Sequence, residues 1–217
     1  MPELLKFVYI IIAYLLGSIP TAVWLGKTFF HIDIREHGSG NAGATNTFRV
    51  LGPKIGVPVL LFDVFKGFAA VQLALLVKTL EIGSNPYISY QLILGTAALL
   101  GHIFPIYAQF KGGKGVATLL GFMLGVHPYA SLVCVGVFLL VFVTTRIVSV
   151  SSMSAAMSFP FVVVFIFKSD SPALMLFSAF IAIAVVVTHR ANIKRLLHKE
   201  EAKVSLKRKS KKDPHSE

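Results

Sequence analysis

Residues 116 to 143 read VATLLGFMLGVHPYASLVCVGVFLLVFV, and the fold turns on whether this run crosses a membrane once or twice. A helix needs about 20 apolar residues to span the hydrocarbon, and this run exceeds that. His127-Pro128 interrupts it, so it divides into a short segment, Val116 to Val126, and a longer one, Tyr129 to Val143. The short piece would be a half-helix that neighbouring segments must support.

The rest of the chain favours the division. Further apolar runs extend over Leu4 to Leu25, Val57 to Val77, Ile88 to Ala108, Ser154 to Phe167 and Ala173 to Thr188. Counting both halves, there are seven candidate spans. With the N-terminus outside, 17 Lys and Arg fall on the cytoplasmic side, three fall outside and Lys66 lies within a span. Merging the two halves and placing the N-terminus inside gives 13 against seven. Basic residues concentrate in cytoplasmic loops, so seven spans are preferred. The first span is read as retained: it carries Glu3 and is longer than the apolar core of a secretory signal.

Composition agrees with a membrane protein. The 217 residues are 55% hydrophobic, with a mean hydropathy of +0.74, and 14% are charged, against about 25% in soluble domains. The net charge of +11 would suggest nucleic acid in a soluble chain. Here the basic residues crowd the loops and one end, which accounts for them without nucleic acid. The single cysteine, Cys134, lies in an apolar run and can form no intrachain disulfide. The expectation is an all-α membrane protein: a bundle of seven transmembrane helices, some short or broken, with polar loops on the cytoplasmic face. Residues 1–197 would form the membrane domain. Residues 198–217, lysine-rich and without apolar periodicity, read as a disordered cytoplasmic tail attracted to anionic lipid.

In this topology the polar connections at 28–56, 109–115 and 144–153 all open on the cytoplasm. The first contains GSGNAGATNTFR. Gly38, Gly40 and Gly43 permit positive φ and can expose successive backbone amides as an anion nest. Ser39, Asn41, Thr45 and Asn46 add donors, and Arg49 can grip a phosphate with two parallel hydrogen bonds. The second, QFKGGKGVAT, fails the Walker pattern, since Ala108 stands where the first glycine belongs and Gly115 follows Lys114. It still sets Lys111 and Lys114 among Gly112, Gly113 and Gly115 at the start of an apolar helix, where an anion is favoured. Asp63 and Lys66, three apart in the second span, share a helical face; a paired charge lining the cytoplasmic vestibule is the expectation. His102 reads as a packing residue. His189, Asn192 and Arg195 follow one another at three-residue steps, and Ser149, Ser151 and Ser152 sit in the last inside loop.

Several chemistries are excluded. Asp63 is the only acidic residue inside a span, so a relay of intramembrane carboxylates has little to work with. No histidine is followed five residues later by Asp, no G-x-S-x-G elbow occurs, and no His, Cys and carboxylate cluster has metal-ligand spacing. Neither a metal nor a cofactor is expected.

The ordered series DIREHGSGNAGATNTFRVLG, DVFKG, GHIFPIYAQFKGGKGVAT, RIVSVSS and HRANIKR closely resembles the bacterial acyl-phosphate:glycerol-3-phosphate acyltransferases, over residues 1 to 197. The resemblance implies an inner-membrane enzyme that moves a fatty acyl group from acyl-phosphate to the 1-hydroxyl of glycerol 3-phosphate. The products would be 1-acyl-glycerol 3-phosphate and phosphate, the opening step of phospholipid biosynthesis. It assigns Ser39, Gly40, Asn41, Gly43, Thr45, Asn46, Gly112 and Gly113 to acyl-phosphate, and Arg49, Lys114, His189 and Asn192 to glycerol 3-phosphate. Ser39, Lys114 and His189 would carry the chemistry, with Asp63, Lys66, Ser149 and Ser152 as further candidates. Two partners are open for the tail, anionic lipid and an enzyme that supplies acyl-phosphate. The rival reading is a transporter of a phosphorylated small molecule, which would also want cationic loops at broken helices.

Overall fold

The computed structural model describes residues 2–204. Helices dominate, and no strand occurs among the described residues. The first apolar run forms α1 (Pro2–Gly17) and α2 (Thr21–Phe30), bent by 41° at a break over residues 18–20. Pro20 supplies no amide and disfavours helical geometry at Ile19, so this run is a broken span. The first connection is not a plain loop. It holds a short 3-10 turn, Ile34–Glu36, and then the amphipathic α3, Ala44–Leu51.

Next come α4 (Pro53–Gln72), extended by a 3-10 turn to Leu76, and α5 (Asn85–Ile103). Ser84 caps α5, accepting a hydrogen bond from the Tyr87 amide at 3.3 Å. The run 116–143 does divide at His127-Pro128: α6 covers Val116–Val126 and α7 covers Pro128–Thr145. His127 closes the turn, its Nδ1 accepting from the Ala130 amide. The chain ends with α8 (Val148–Phe161) passing into a π turn at Val162–Ile166, then α9 (Pro172–Thr188), and α10 (Arg190–Leu197) bent by 58° from it.

One boundary differs from expectation in an instructive way. The serine-rich 149–152 stretch reads as loop, yet α8 begins at Val148 and the connection from α7 shrinks to Arg146 and Ile147. Ser151 and Ser152 satisfy their hydroxyls on the carbonyls four residues back, Ile147 and Val148, both at 2.9 Å. A hydroxyl bonded this way is compatible with an apolar helix.

Four helices are long and apolar enough to cross a membrane, and the two bent pairs raise the number to six. The seventh candidate, α6, has 11 residues and a length of about 16 Å, well short of the roughly 30 Å hydrocarbon core. It is instead the most closely held segment of the bundle. A Cβ on Gly67 of α4 would stand 2.0 Å from the Thr118 carbonyl oxygen, and one on Gly121 of α6 1.7 Å from that of Val64. Backbones approach this closely in membranes only where small residues face each other. By contrast α7 buries only Ala130, Ser131 and Cys134 and packs mainly on α8.

Candidate active site

A cavity of about 410 Å³ opens among α3, α6, α7, α8, α9 and α10. Its mouth is polar and cationic, and its depth, between α6, α7, α8 and α9, is apolar. Of the residues singled out by sequence, Ser39, Asn41, Gly43, Thr45, Asn46, Arg49, Asp63, Lys114, Ser149, Ser152, His189 and Asn192 line it. Gly40, Lys66, Gly112 and Gly113 do not.

The first motif is built around Asn46. Its Oδ1 accepts from the Ser39 amide at 2.8 Å and from Ser39 Oγ at 3.1 Å, while its Nδ2 donates to the carbonyls of Ile34 and His37, each at 3.0 Å. Both donors and the carbonyl oxygen are thus engaged within the loop. Asn46 is 1% exposed; it shapes the loop that presents Ser39, which differs from the head-group contact the resemblance implies. The nest is also narrower than the glycines suggest. Gly38 and Gly40 have positive φ, whereas Gly43 is extended and caps α3. The Ser39 and Gly40 amides are already taken, the latter by His37 O at 3.1 Å. The donors left to an anion are those at the start of α3, where the helix dipole favours negative charge. Thr45 and Arg49, one turn apart on α3, are exposed at the mouth.

Asp33 and Arg35 join the first connection to the second. Arg35 Nε and Nη2 donate to the two Asp33 carboxylate oxygens at 2.9 and 2.6 Å, and Nη1 donates to the Ala108 carbonyl at 2.9 Å. The Arg35 guanidinium, hydrogen-bonded to it, holds the Asp33 carboxyl far below the usual carboxylate range against the opposing effect of its burial.

The second connection reaches the cavity through Lys114, which precedes the N-terminus of α6. Its Nζ donates to Asn192 Oδ1. Burial drives the Lys114 ammonium down to about 8; Glu201 opposes that shift, and Arg195 and Arg49 add to it. Gly112 and Gly113 lie behind, packed on His102.

On the far wall, His189 is 3% exposed and its Nδ1 sits 2.7 Å from the Val185 carbonyl. A carbonyl can only accept, so Nδ1 carries the hydrogen and Nε2 is left as a proton acceptor. Ser149 and Ser152 stand one turn apart on α8.

The residue that sequence reasoning missed is Glu201. Contacts with the bundle continue past the expected boundary at Leu197: the Val204 amide donates to Arg146 O at 2.8 Å, and Glu201 enters the cavity mouth. Glu201 Oε1 accepts from Ser149 Oγ at 2.8 Å and Asn192 Nδ2 at 2.5 Å, and Oε2 from Arg195 Nε at 2.7 Å. Burial pushes this carboxyl up, but the hydrogen bonds from Asn192, Ser149 and Arg195 outweigh it and leave it below its ordinary value. An acid beside Glu200 in a short polar stretch between lysines gave no periodic signal. Residues 205–217, the rest of the expected tail, lie outside the described residues.

Lys66 differs most from expectation. It is buried, 2% exposed, and turns away from the vestibule: Nζ donates to the Ile19 carbonyl at 2.9 Å and lies 2.8 Å from Asp63 Oδ1. The Ile19 carbonyl at the α1–α2 break, which also accepts from the Thr21 amide, and the nearby carboxylate are better partners for a desolvated ammonium than an apolar cavity wall.

Comparisons with known proteins show which family the chain belongs to. The family model described as glycerol-3-phosphate acyltransferase matches residues 7–199. The glycerol-3-phosphate acyltransferase of Chlorobaculum tepidum is 43% identical, covering 93% of this chain and 97% of its own. That of Salinibacter ruber is 40% identical, covering 91% and 92%. Among solved structures, an integral membrane glycerol 3-phosphate acyltransferase in its glycerol 3-phosphate form superposes with a TM-score of 0.81. The two are 38% identical, over 92% of this chain and 96% of that one. The lysophosphatidic acid form superposes with a TM-score of 0.77.

Proposed function

The chain belongs to the glycerol-3-phosphate acyltransferase family and is a multi-pass membrane acyltransferase, and from that premise we propose that it transfers a fatty acyl group from acyl-phosphate to the 1-hydroxyl of glycerol 3-phosphate. The observation that carries the reading is the division of one cavity into a cationic mouth and an apolar depth. A donor with a phosphate at one end and a hydrocarbon chain at the other matches both parts, and the second substrate adds a second phosphate at the mouth.

In this reading the acyl chain lies between α6, α7, α8 and α9, and its phosphate faces Ser39, Asn41, Gly43 and Thr45. Glycerol 3-phosphate enters from the cytoplasm, its phosphate held by Arg49 and its hydroxyls by His189 and Asn192. Its 1-hydroxyl oxygen attacks the acyl carbonyl carbon. The bond from that carbon to the phosphate oxygen breaks, and the hydroxyl proton passes to the departing phosphate, giving 1-acyl-glycerol 3-phosphate and inorganic phosphate. His189 Nε2 is a neutral side-chain base on the same wall. Lys114 opposes the charge that develops on the carbonyl and phosphate oxygens, and the walls supply alignment. Since acyl-phosphate is already activated, no covalent acyl-enzyme is needed.

The reading also counts seven spans in a bacterial inner membrane, the short α6 being carried across by its close packing on α4, with the N-terminus outside and the mouth on the cytoplasm, in keeping with the distribution of Lys and Arg. The test is a purified preparation in detergent. Given acyl-phosphate and glycerol 3-phosphate, it should release phosphate and acylated product in equal amounts with no second compartment. A transporter would do neither, and a trapped acyl-serine at Ser39 would replace direct transfer with a two-step route.

A further inference from the structure

Behind the main cavity lies a second void of about 10 Å³, where separate stretches of chain converge. It is lined by Thr21 at the α1–α2 break, Ala42 of the first motif, Asp63 and Lys66 of α4, His102 of α5, and Gly112 and Gly113 of the second connection. Asp63 and His102 line the main cavity as well, so they form part of the wall between the two.

The polar contacts across this wall are specific. His102 Nδ1 lies 3.1 Å from Thr118 Oγ1, in the first turn of α6, and 3.7 Å from Asp63 Oδ1. Lys66 Nζ donates to Ile19 O at 2.9 Å and lies 2.8 Å from Asp63 Oδ1, so the two form a buried ion pair. On the other side the second connection is laid directly on His102. The Gly113 amide donates to His102 O at 3.2 Å and the Gly112 amide to Ile103 O at 3.1 Å. A Cβ on Gly113 would stand 2.3 Å from His102 Nε2, and one on Gly112 2.0 Å from His102 O. The glycines of the KGGKG loop therefore answer to a packing demand from His102, and Lys114 is the next residue along.

We propose that Asp63, Lys66 and His102 are positioning residues: Lys66 pins the α1–α2 break, Asp63 fixes the His102 ring, and His102 is the surface on which the loop presenting Lys114 is set. This rests on the functional reading above, in which Lys114 acts as an ammonium at the reacting centre. A buried charge pair joined to a histidine and a helix hydroxyl holds one geometry far more strictly than apolar packing does, and a displacement of about 1 Å at a reacting group can cost 10²-fold in rate.

The experiment uses the full chain in detergent, acyl-phosphate as donor and glycerol 3-phosphate as acceptor, with kcat followed against pH. The groups facing the Lys114 ammonium are Arg49 from α3, His189 at the end of α9, Asn192 and Arg195 from α10, and Glu201. In the parent enzyme the alkaline limb should follow Lys114. His102→Gln keeps a partner for Thr118 but removes the ring under Gly113, so Lys114 gains water. The limb should then rise by about one pH unit, with kcat about tenfold lower at neutral pH. The paired change Asp63→Asn with Lys66→Met, which leaves no buried charge alone, should shift the limb the same way and carries the test if His102→Gln does not fold. A merely structural role would lower the folded fraction and scale the profile without moving it, so an unmoved limb overturns the proposal. If the parent protein transfers no acyl group at all, the functional reading fails first and this proposal with it.

Discussion

Lys114 donates a hydrogen bond to the side-chain oxygen of Asn192, 78 residues further along the chain. That contact ties the glycine-rich second connection to α10, and it is the point where the two motifs of the resemblance become one wall. Because Asn192 also donates to Glu201, the amide sits between a cation and an anion and has a single favourable orientation.

The first prediction concerns this lysine. Its ammonium lies at about 8, so turnover should decline as pH rises through that value, where the charge is lost. Lys114→Arg, always charged, should carry whatever activity it retains to higher pH, and Lys114→Ala should lower kcat by about 10² to 10³. Initial rates from pH 6 to 10 decide both.

Arg49 stands exposed at the mouth on α3, where it can bind phosphate without holding the fold together. Arg49→Ala should raise KM for glycerol 3-phosphate by about 10- to 100-fold, the loss expected for a bidentate charged contact, with little change in melting temperature. Arg49→Lys should restore only part of the affinity, because an ammonium cannot reproduce the fork. Steady-state kinetics at saturating donor measure it.

Glu201 is 7% exposed in its side chain and takes three hydrogen bonds. Its folded-state carboxyl titrates below its ordinary value, so the stabilisation is complete above the ordinary carboxylate range and is lost as pH falls through the lowered value. Glu201→Gln should cost about 2 kcal/mol at neutral pH, as expected for hydrogen bonds to a charged group. It should also flatten the fall in melting temperature between pH 7 and pH 3. An unchanged acid limb in the variant would show that Glu201 is not held as described.

Cys134 is the only cysteine in the chain and lines the deep part of the cavity with Phe159. From Ser149 at the mouth to Phe159 the α8 wall runs about 15 Å. Palmitoyl phosphate should therefore protect Cys134 from a small neutral maleimide, whereas acetyl phosphate should not. Mass spectrometry of the intact protein reads the outcome, and equal labelling with both would mean that the acyl chain lies elsewhere.

Much of this was legible in the sequence because it rests on composition and spacing. Apolar length marks the spans, His127-Pro128 marks the α6–α7 division, and the amides, hydroxyls and cations of the polar segments mark the mouth. What escaped depends on contacts between distant residues. The Ser149 to Ser152 stretch looks like loop until Ser151 and Ser152 find carbonyls one turn back and Ser149 finds the Glu201 carboxylate. Lys66 looks like a vestibule cation until the α1–α2 break offers it a carbonyl. Asn46 looks like a ligand contact until the turn around it takes up its hydrogen-bonding capacity. Gly113 looks like part of a phosphate cradle until the His102 ring occupies the space its side chain would need. Glu201, one of two adjacent acids between lysines, has no local signature that sets it apart from Glu200.

The polar rim that begins at Ser39 is closed only by Glu201, which follows all the helices of the bundle. During synthesis the helices enter the membrane in order, and each intermediate carries an incomplete rim. A nascent chain that has already buried its spans still lacks the carboxylate that orients Asn192 and faces Lys114. The catalyst is therefore assembled only once the chain has been made past Glu201, and a polypeptide released before that point would sit in the bilayer as a bundle of helices with an open, unfinished mouth.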